Sequence, residues 1–272
     1  MKRNRTLFAL TLAAIILASG CKLTTGRDIE EIIKDRYFDN DGMVNMGDDE
    51  NAQYYVKGIG EFEAAQVSSL EIDWLNDTVV VKAWDGDKVA ISETSNTLLN
   101  DTTTMYHYLD RKGNLHINFM KPKTKNSSLP NKQLLVLVPR TLRLDEVEVN
   151  GVSLTIRIDS IACDDMELNN VSGNVTMNEC RVGSLELNTV VSSFFTAYFS
   201  QIPEEIELNS VGATTELYVP EDAGMTIEMS GLSSNFKCEL PKAKKYNMYV
   251  VGDGACHIEC NGVSSRLFIH KK

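Results

Sequence analysis

From Val147 onward, apolar and polar positions alternate in a motif that returns six times: VEVNGV from Val147, MELNNV from Met166, LELNTV from Leu185, IELNSV from Ile206, IEMSGL from Ile227 and IECNGV from Ile258. With Glu148, Glu167, Glu186, Glu207, Glu228 and Glu259 as origins, the spacings are 19, 19, 21, 21 and 31 residues. A period near 20 with one stretched unit predicts a stacked array rather than one irregular core. The residue after each glutamate is apolar: Val149, Leu168, Leu187, Leu208, Met229 and Cys260. Further columns follow at the fourth position (Val152, Val171, Val190, Val211, Leu232, Val263), the eighth (Ile156, Val175, Phe194, Thr215, Phe236, Leu267) and the tenth (Ile158, Met177, Thr196, Leu217, Cys238, Ile269). The last two columns lie two residues apart, which is strand alternation and not helical spacing.

Turn residues separate the two strands of a unit, as in Asn150-Gly151, Ser172-Gly173 and Ser230-Gly231, so each unit reads strand, turn, strand, turn. One such unit cannot bury its apolar row. Stacking units about 4.8 Å apart seals the rows into a continuous core, at ~1.5–3 kcal/mol for each large side chain fully buried. The predicted fold is therefore all-β, a parallel β-helix or β-solenoid with repeats of about 20 residues. The asparagines two places after the glutamates, Asn150, Asn169, Asn188, Asn209 and Asn261, with Ser230 in the fifth unit, are expected to hydrogen-bond from coil to coil at a corner. Six glutamates in a column should repel one another. They read as a solvated acidic face, or as a surface for a divalent cation or a basic partner.

Before the repeats the pattern is less regular. LEIDWLNDTVVVKA from Leu70 places Ile72, Leu75, Val79 and Val81 in the same four columns when Glu71 is the origin, so the repeat is expected to begin there. Met105–Asp110 and Leu115–Met120 flank Lys112-Gly113 as a hairpin, and Leu134–Val138 is a continuous apolar strand ended by Pro139. The expected organisation is a signal segment over 1–20, an acidic tether over 21–53, and one β body over 54–272 with an irregular N-terminal β region and its clearest repeats over 141–272.

The run LEID…VVVKAWDGDKVAIS, then GNLHINFM, then LLVLVP, then the repeated units, resembles a DUF4097-like bacterial envelope family labelled as candidate adhesins. Its members are often secreted or lipid-anchored and are built as β-solenoids. The resemblance spans roughly Leu70 to Ile269. It implies fold, and it supplies no catalytic residue or cofactor.

Residues 1–20 stand apart from this pattern. Lys2, Arg3 and Arg5 precede an apolar run, Leu7 to Leu17, which is too short to span a bilayer comfortably, and Ala18-Ser19-Gly20 leads to Cys21. The segment resembles a lipoprotein signal peptide cleaved before Cys21, although leucine stands at 17 and not three places before the cysteine. Lipid on Cys21 would anchor the chain to a membrane. Lys22 after the cysteine, with no aspartate there, favours the outer membrane. Cleavage would move the formal net charge from −11 to −14, which excludes nucleic acid and broad contact with anionic head groups.

Candidate chemistry is sparse. Asp39, Asp41 and Glu50 fall at three positions of a calcium loop, but Met43 and Val44 occupy places that such a loop needs for a ligand and a glycine. Five cysteines remain beside Cys21. Cys238 and Cys260 fall in core columns, while Cys163, Cys180 and Cys256 lie near strand ends, and bridges between coils are conceivable in an oxidising compartment. No Cys-x-x-Cys, His-x-x-x-His, G-x-S-x-G or phosphate loop occurs. The four histidines read as surface residues. Phe194, Phe195, Tyr198 and Phe199 form the densest aromatic patch, and a strand must turn two of them outward. Phe195 and Phe199, with the glutamate column, are the candidate partner-binding surface.

Three readings remain at this level. The first is a non-enzymatic, lipid-anchored envelope protein that binds a glycan or a protein. The second is a polysaccharide-active solenoid enzyme. The third is a structural or envelope-stress component. The oligomeric state stays open.

Overall fold

The computed structural model describes residues 44–45, 51–122, 125–126, 129–246 and 248–272. The signal segment, Cys21, most of the acidic tether and the calcium-like positions Asp39, Asp41 and Glu50 lie outside them. The described chain is almost entirely β, with two short 3-10 turns and no α-helix.

The repeats are long bent strands: Leu144–Asp159, Ala162–Asn178 and Arg181–Tyr198. Leu144 pairs in parallel with Cys163, and Cys163 with Val182. Sixteen extended residues would span about 53 Å, whereas the three residues that lead from Asp159 to the next level reach no more than about 11 Å. Each strand must therefore double back on itself near its middle, giving two legs per level and two parallel sheets that face each other. Gly173 (φ +126°) and Gly231 (φ +110°) sit at this mid-level corner, where an added Cβ would meet the carbonyl oxygens of Leu154 and Gly262 at 2.0 and 1.9 Å. Only a glycine lets adjacent levels approach so closely there.

The predicted solenoid is present, and its core columns run through the interior. Ile72, Val149, Leu168, Leu187, Leu208 and Cys260 form one row, each no more than 2% exposed. Val81, Ile158, Met177, Ala197, Leu217 and Ile269 form another that is equally buried. The level Ser69–Trp84 joins in the expected register, Glu71 opposite Glu148 and Ile72 opposite Val149.

Two features differ from the sequence reading. The fourth-position column is not core. It lies at the corner, where Val171 and Val190 are buried but Val152, Val211 and Val263 are only half-buried and Leu232 is 57% exposed. The levels also do not stack in chain order. Cys256–Val263 inserts between Glu205–Val211 and Met225–Leu232, parallel to both, so that Glu259 lies beside Glu207 on one side and Glu228 on the other. The 31-residue gap is therefore an excursion, the antiparallel hairpin Lys242–Lys245/Met248–Val251, whose second strand covers Met225–Glu228 from outside.

The other end repeats the device. Ser69–Trp84 is sandwiched between Leu144–Asp159 and a composite level made of Asn114–Asn118 and Lys132–Pro139. Antiparallel strands then close the end: Tyr106–Leu109 and Val56–Lys57 on one sheet, Lys88–Ser95 and Gly60–Glu63 on the other. A parallel stack exposes a row of unpaired backbone groups at each end, and capping strands reduce that liability. Eight levels result, about 34 Å from first to last.

Candidate functional site

The glutamate column is brought together as expected. Because Val147 and Val149 point inward, Glu148 points outward, and parallel pairing aligns Glu71, Glu148, Glu167, Glu186, Glu207, Glu259 and Glu228 along one face in that spatial order. Each of the six repeat glutamates is half-buried. In five of them a side-chain oxygen accepts an N–H from the asparagine two residues on, at 2.7–3.0 Å. The second N–H of each asparagine amide donates to the level before: Asn261 to Asn209, Asn209 to Asn188, Asn188 to Asn169, Asn169 to Asn150, and Asn150 to the Asp73 carboxylate, at 2.8–3.2 Å. This ladder satisfies buried corner amides and supplies neutral donors to a row of like charges.

The ladder makes carboxylate crowding tolerable without removing it. Burial first, then the charges of Glu167 and Glu207, hold the Glu186 carboxyl above the usual carboxylate range, against the lowering hydrogen bond from Asn188. Glu146, one step outward, is raised by burial and by Glu148 and Glu167. At the N-terminal end of the row His116 Nδ1 meets Glu71 at 2.8 Å, with Asp110 3.9 Å from Nε2. Asp110 also lines a shallow cleft of about 410 Å³ between 65–68 and 109–113.

The aromatic candidates need correction. Phe195 and Phe199 are 1% and 0% exposed and belong to the core, so neither can touch a partner; Phe194 is 58% exposed instead. The register explains this. Ser172 pairs with Val191 but Asn174 pairs with Phe194, so Arg181–Tyr198 carries one extra residue at its corner. A one-residue slip turns every later side chain to the opposite face. Phe195 and Ala197 thereby take the inward places assigned to Phe194 and Thr196. Outward, Tyr198 stacks on Tyr218 at 4.5 Å and Tyr218 on His270 at 4.7 Å, an aromatic ladder at level spacing that the amino-acid pattern did not reveal.

Nor are the histidines plain surface residues. His107 is 6% exposed and edge-on to Phe62, and burial pushes its imidazole below the usual value. His270 ends the tyrosine stack and meets Glu239 at 3.1 Å.

A further cluster escaped the sequence reading because its members are distant in the chain. Lys132, with no exposed surface, places its ammonium 2.7 Å from Glu93 Oε2 and 2.8 Å from the Thr103 carbonyl; it also donates to the Phe119 carbonyl and lies against the Trp74 and Phe119 rings. Burial pushes the ammonium down to about 8, with Glu93 opposing. All three donors are engaged, so the cluster fastens the N-terminal cap.

The five cysteines are free thiols. Burial raises Cys163, Cys256 and Cys260 to about 12 and Cys180 to about 11, which leaves them weak nucleophiles. Among the described residues no cluster of three or more His, Cys, Asp or Glu side chains is arranged to hold a metal ion, and no helix is long and apolar enough to cross a membrane.

Comparison with solved structures gives a candidate cell-adhesion protein from Clostridium sporogenes, 16% identical with a TM-score of 0.44, covering 80% of this chain and all of the other. A candidate adhesin from Bacteroides fragilis is 8% identical with a TM-score of 0.33, covering 80% of this chain and 97% of the other. Comparison with curated proteins gives no match. The Toastrack DUF4097 family model matches residues 67–194, from just before the Ser69–Trp84 level to the exposed Phe194. Over those residues the chain carries the Toastrack DUF4097 pattern.

Proposed function

We propose that this is a non-enzymatic, lipid-anchored cell-envelope protein that binds a glycan or protein partner through its solenoid surface. The observation that carries the proposal is the face along the glutamate column. Over about 29 Å it repeats one outward carboxylate on each of seven levels, and the asparagine amides orient those carboxylates within the ladder rather than toward a reaction centre. A regular array of this kind offers many equivalent contacts to an extended partner. Anchoring through lipid on Cys21 belongs to the same proposal and rests on the basic and apolar segment that precedes it. No cofactor is required.

Glycan arrays and envelope pull-downs with the mature chain test the binding reading. Retention of a defined glycan or envelope protein is the expected result, whereas release of reducing ends from a polysaccharide with no retained partner would overturn it. Mass spectrometry of the N-terminal peptide checks the anchor: Cys21→Ala should move the protein from the membrane to the soluble fraction.

A further inference from the structure

The C-terminal end of the stack has a charge character opposite to the rest of the molecule. Lys242, Lys244 and Lys245 lie on a strand whose four residues are all exposed and which pairs with Met248–Val251 alone, so that its other edge is open. Lys237 lies on the outermost level, paired with Phe268. The chain carries a formal charge of −11, and several lysines elsewhere find carboxylates: Lys57 and Lys121 share Asp101, Lys88 meets Glu63, Lys271 meets Glu221 and Lys272 meets Glu179. Among the described residues the four lysines of the end cap form no ion pair. The nearby Glu239 is already taken by His270 and the Lys271 backbone N–H. Instead three amines sit over rings, Lys237 over Phe268, Lys242 over Phe236 and Lys244 over Tyr249, at 5.8, 5.8 and 5.7 Å from the ring centres, and Lys242 also donates to the Cys238 carbonyl at 3.0 Å. Tyr246, at the tip of the hairpin, is 87% exposed.

Edge lysines discourage strand addition, and that alone would explain one or two of them. It does not explain an exposed tyrosine beside three cations that lack carboxylate partners in an acidic protein. Amines that float over rings present positive charge and apolar surface side by side, the combination that suits sugar rings bearing carboxylates. A duplex nucleic acid or an anionic bilayer is broad and would confront the carboxylate face as well as the cap. A single polysaccharide chain is thin enough to run along the cap strand and avoid that face.

We infer that the lysine hairpin at 242–246, with Tyr249, is a docking site for a carboxylated polysaccharide chain. This rests on the binding reading above and moves the contact from the faces to the end of the stack.

The test is affinity electrophoresis of the full mature protein through gels containing polygalacturonate, neutral dextran or anionic phosphatidylglycerol vesicles. It compares the unaltered chain with the Lys242→Glu/Lys244→Glu/Lys245→Glu variant and with Tyr246→Ala. All four positions are exposed, and circular dichroism confirms that the variants fold. The expected result is retardation by polygalacturonate that weakens as salt rises, falls roughly tenfold or more in the triple variant and several-fold in Tyr246→Ala. Equal retardation of the triple variant, or retardation by dextran alone, would overturn the cap site while glycan binding stands. Stronger retention by vesicles would overturn it in favour of a lipid surface. If no glycan retards the chain, the inference fails, and the broader reading then depends on the protein pull-down.

Discussion

The middle of the stack and its two ends solve the same problem by different means. From Leu144 to Val219 each level pairs with the one that precedes it in the chain, 19–21 residues away, and the asparagine ladder runs through every step. At the ends the chain goes out of order. Ser69–Trp84 is covered by strands that come later, and Met225–Leu232 is displaced outward by Cys256–Val263. The middle needs only repetition, because each level supplies the template for the next. An end has no further level to rest on, so it requires distant segments, antiparallel covers and dedicated polar clusters. Cohesion in the middle is spread over equivalent contacts, whereas at the N-terminal end it converges on Lys132.

The sharpest way to break the comparison is therefore at the end. Glu93→Ala leaves the Lys132 ammonium buried without its counter-charge and should cost about 3–5 kcal/mol in urea denaturation, while Lys132→Met combined with Glu93→Met removes both charges, leaves the Thr103 and Phe119 carbonyls and the Met105 N–H unpaired, and should cost less, about 1–3 kcal/mol. A loss as large in the double variant would show that the pair is more than a mutual neutralisation. In the middle, Leu168→Ala removes one fully buried side chain and should cost about 2–5 kcal/mol. If stability is spread as the contacts suggest, Leu187→Ala should cost nearly the same by the same measurement. A strong difference between the two would mean that one level nucleates the rest.

Smaller effects follow along the ladder. Asn188→Ala deprives Glu186 of its donor and leaves the Asn169 carbonyl and one N–H of Asn209 unpaired, which should cost about 1–3 kcal/mol. Asn261 is the last donor of the ladder and passes only one link inward, so Asn261→Ala should cost less than Asn188→Ala. Equal losses would argue that the chain of amides is not cooperative.

The same contrast decides what the amino-acid order could reveal. The middle was legible: Glu148, Glu167 and Glu186 align in register because a constant period in sequence becomes a constant rise in space. The column at Ile72 was legible for the same reason, even though its level lies outside the regular run. Order along the stack was not. Glu228 and Glu259 are adjacent levels in either arrangement, and nothing in the motif says that Cys256–Val263 is the inner one. Phe195 was misjudged because a single extra corner residue shifts the second leg of its level while leaving the first in phase. Lys132 and Glu93 sit 39 residues apart with no repeat to connect them, so only the folded end brings them together.

The finest test concerns the carboxylate row itself. Glu186 is held above the ordinary carboxylate range in the folded state, burial being the main cause and Glu167 and Glu207 adding to it. A folded-state pKa above the unfolded one means that the native protein binds more protons in the window just above pH 4.5, so this group stabilises the fold as pH falls through that window and opposes it as pH rises. Glu186→Gln keeps an oxygen for the Asn188 N–H and removes the charge. It should raise stability at pH 7 by ~0.2–1 kcal/mol, the scale for relieving like charges on neighbouring strands, and flatten the pH dependence just above pH 4.5. Glu63, exposed in the N-terminal cap and paired with Lys88, supplies the contrast. Its removal relieves no such row, so Glu63→Gln should bring no gain in stability at pH 7. Urea titrations of both variants at several pH values distinguish the cases, and a slope that persists in Glu186→Gln would show that the excess proton binding arises elsewhere, with Glu146 the next group to replace.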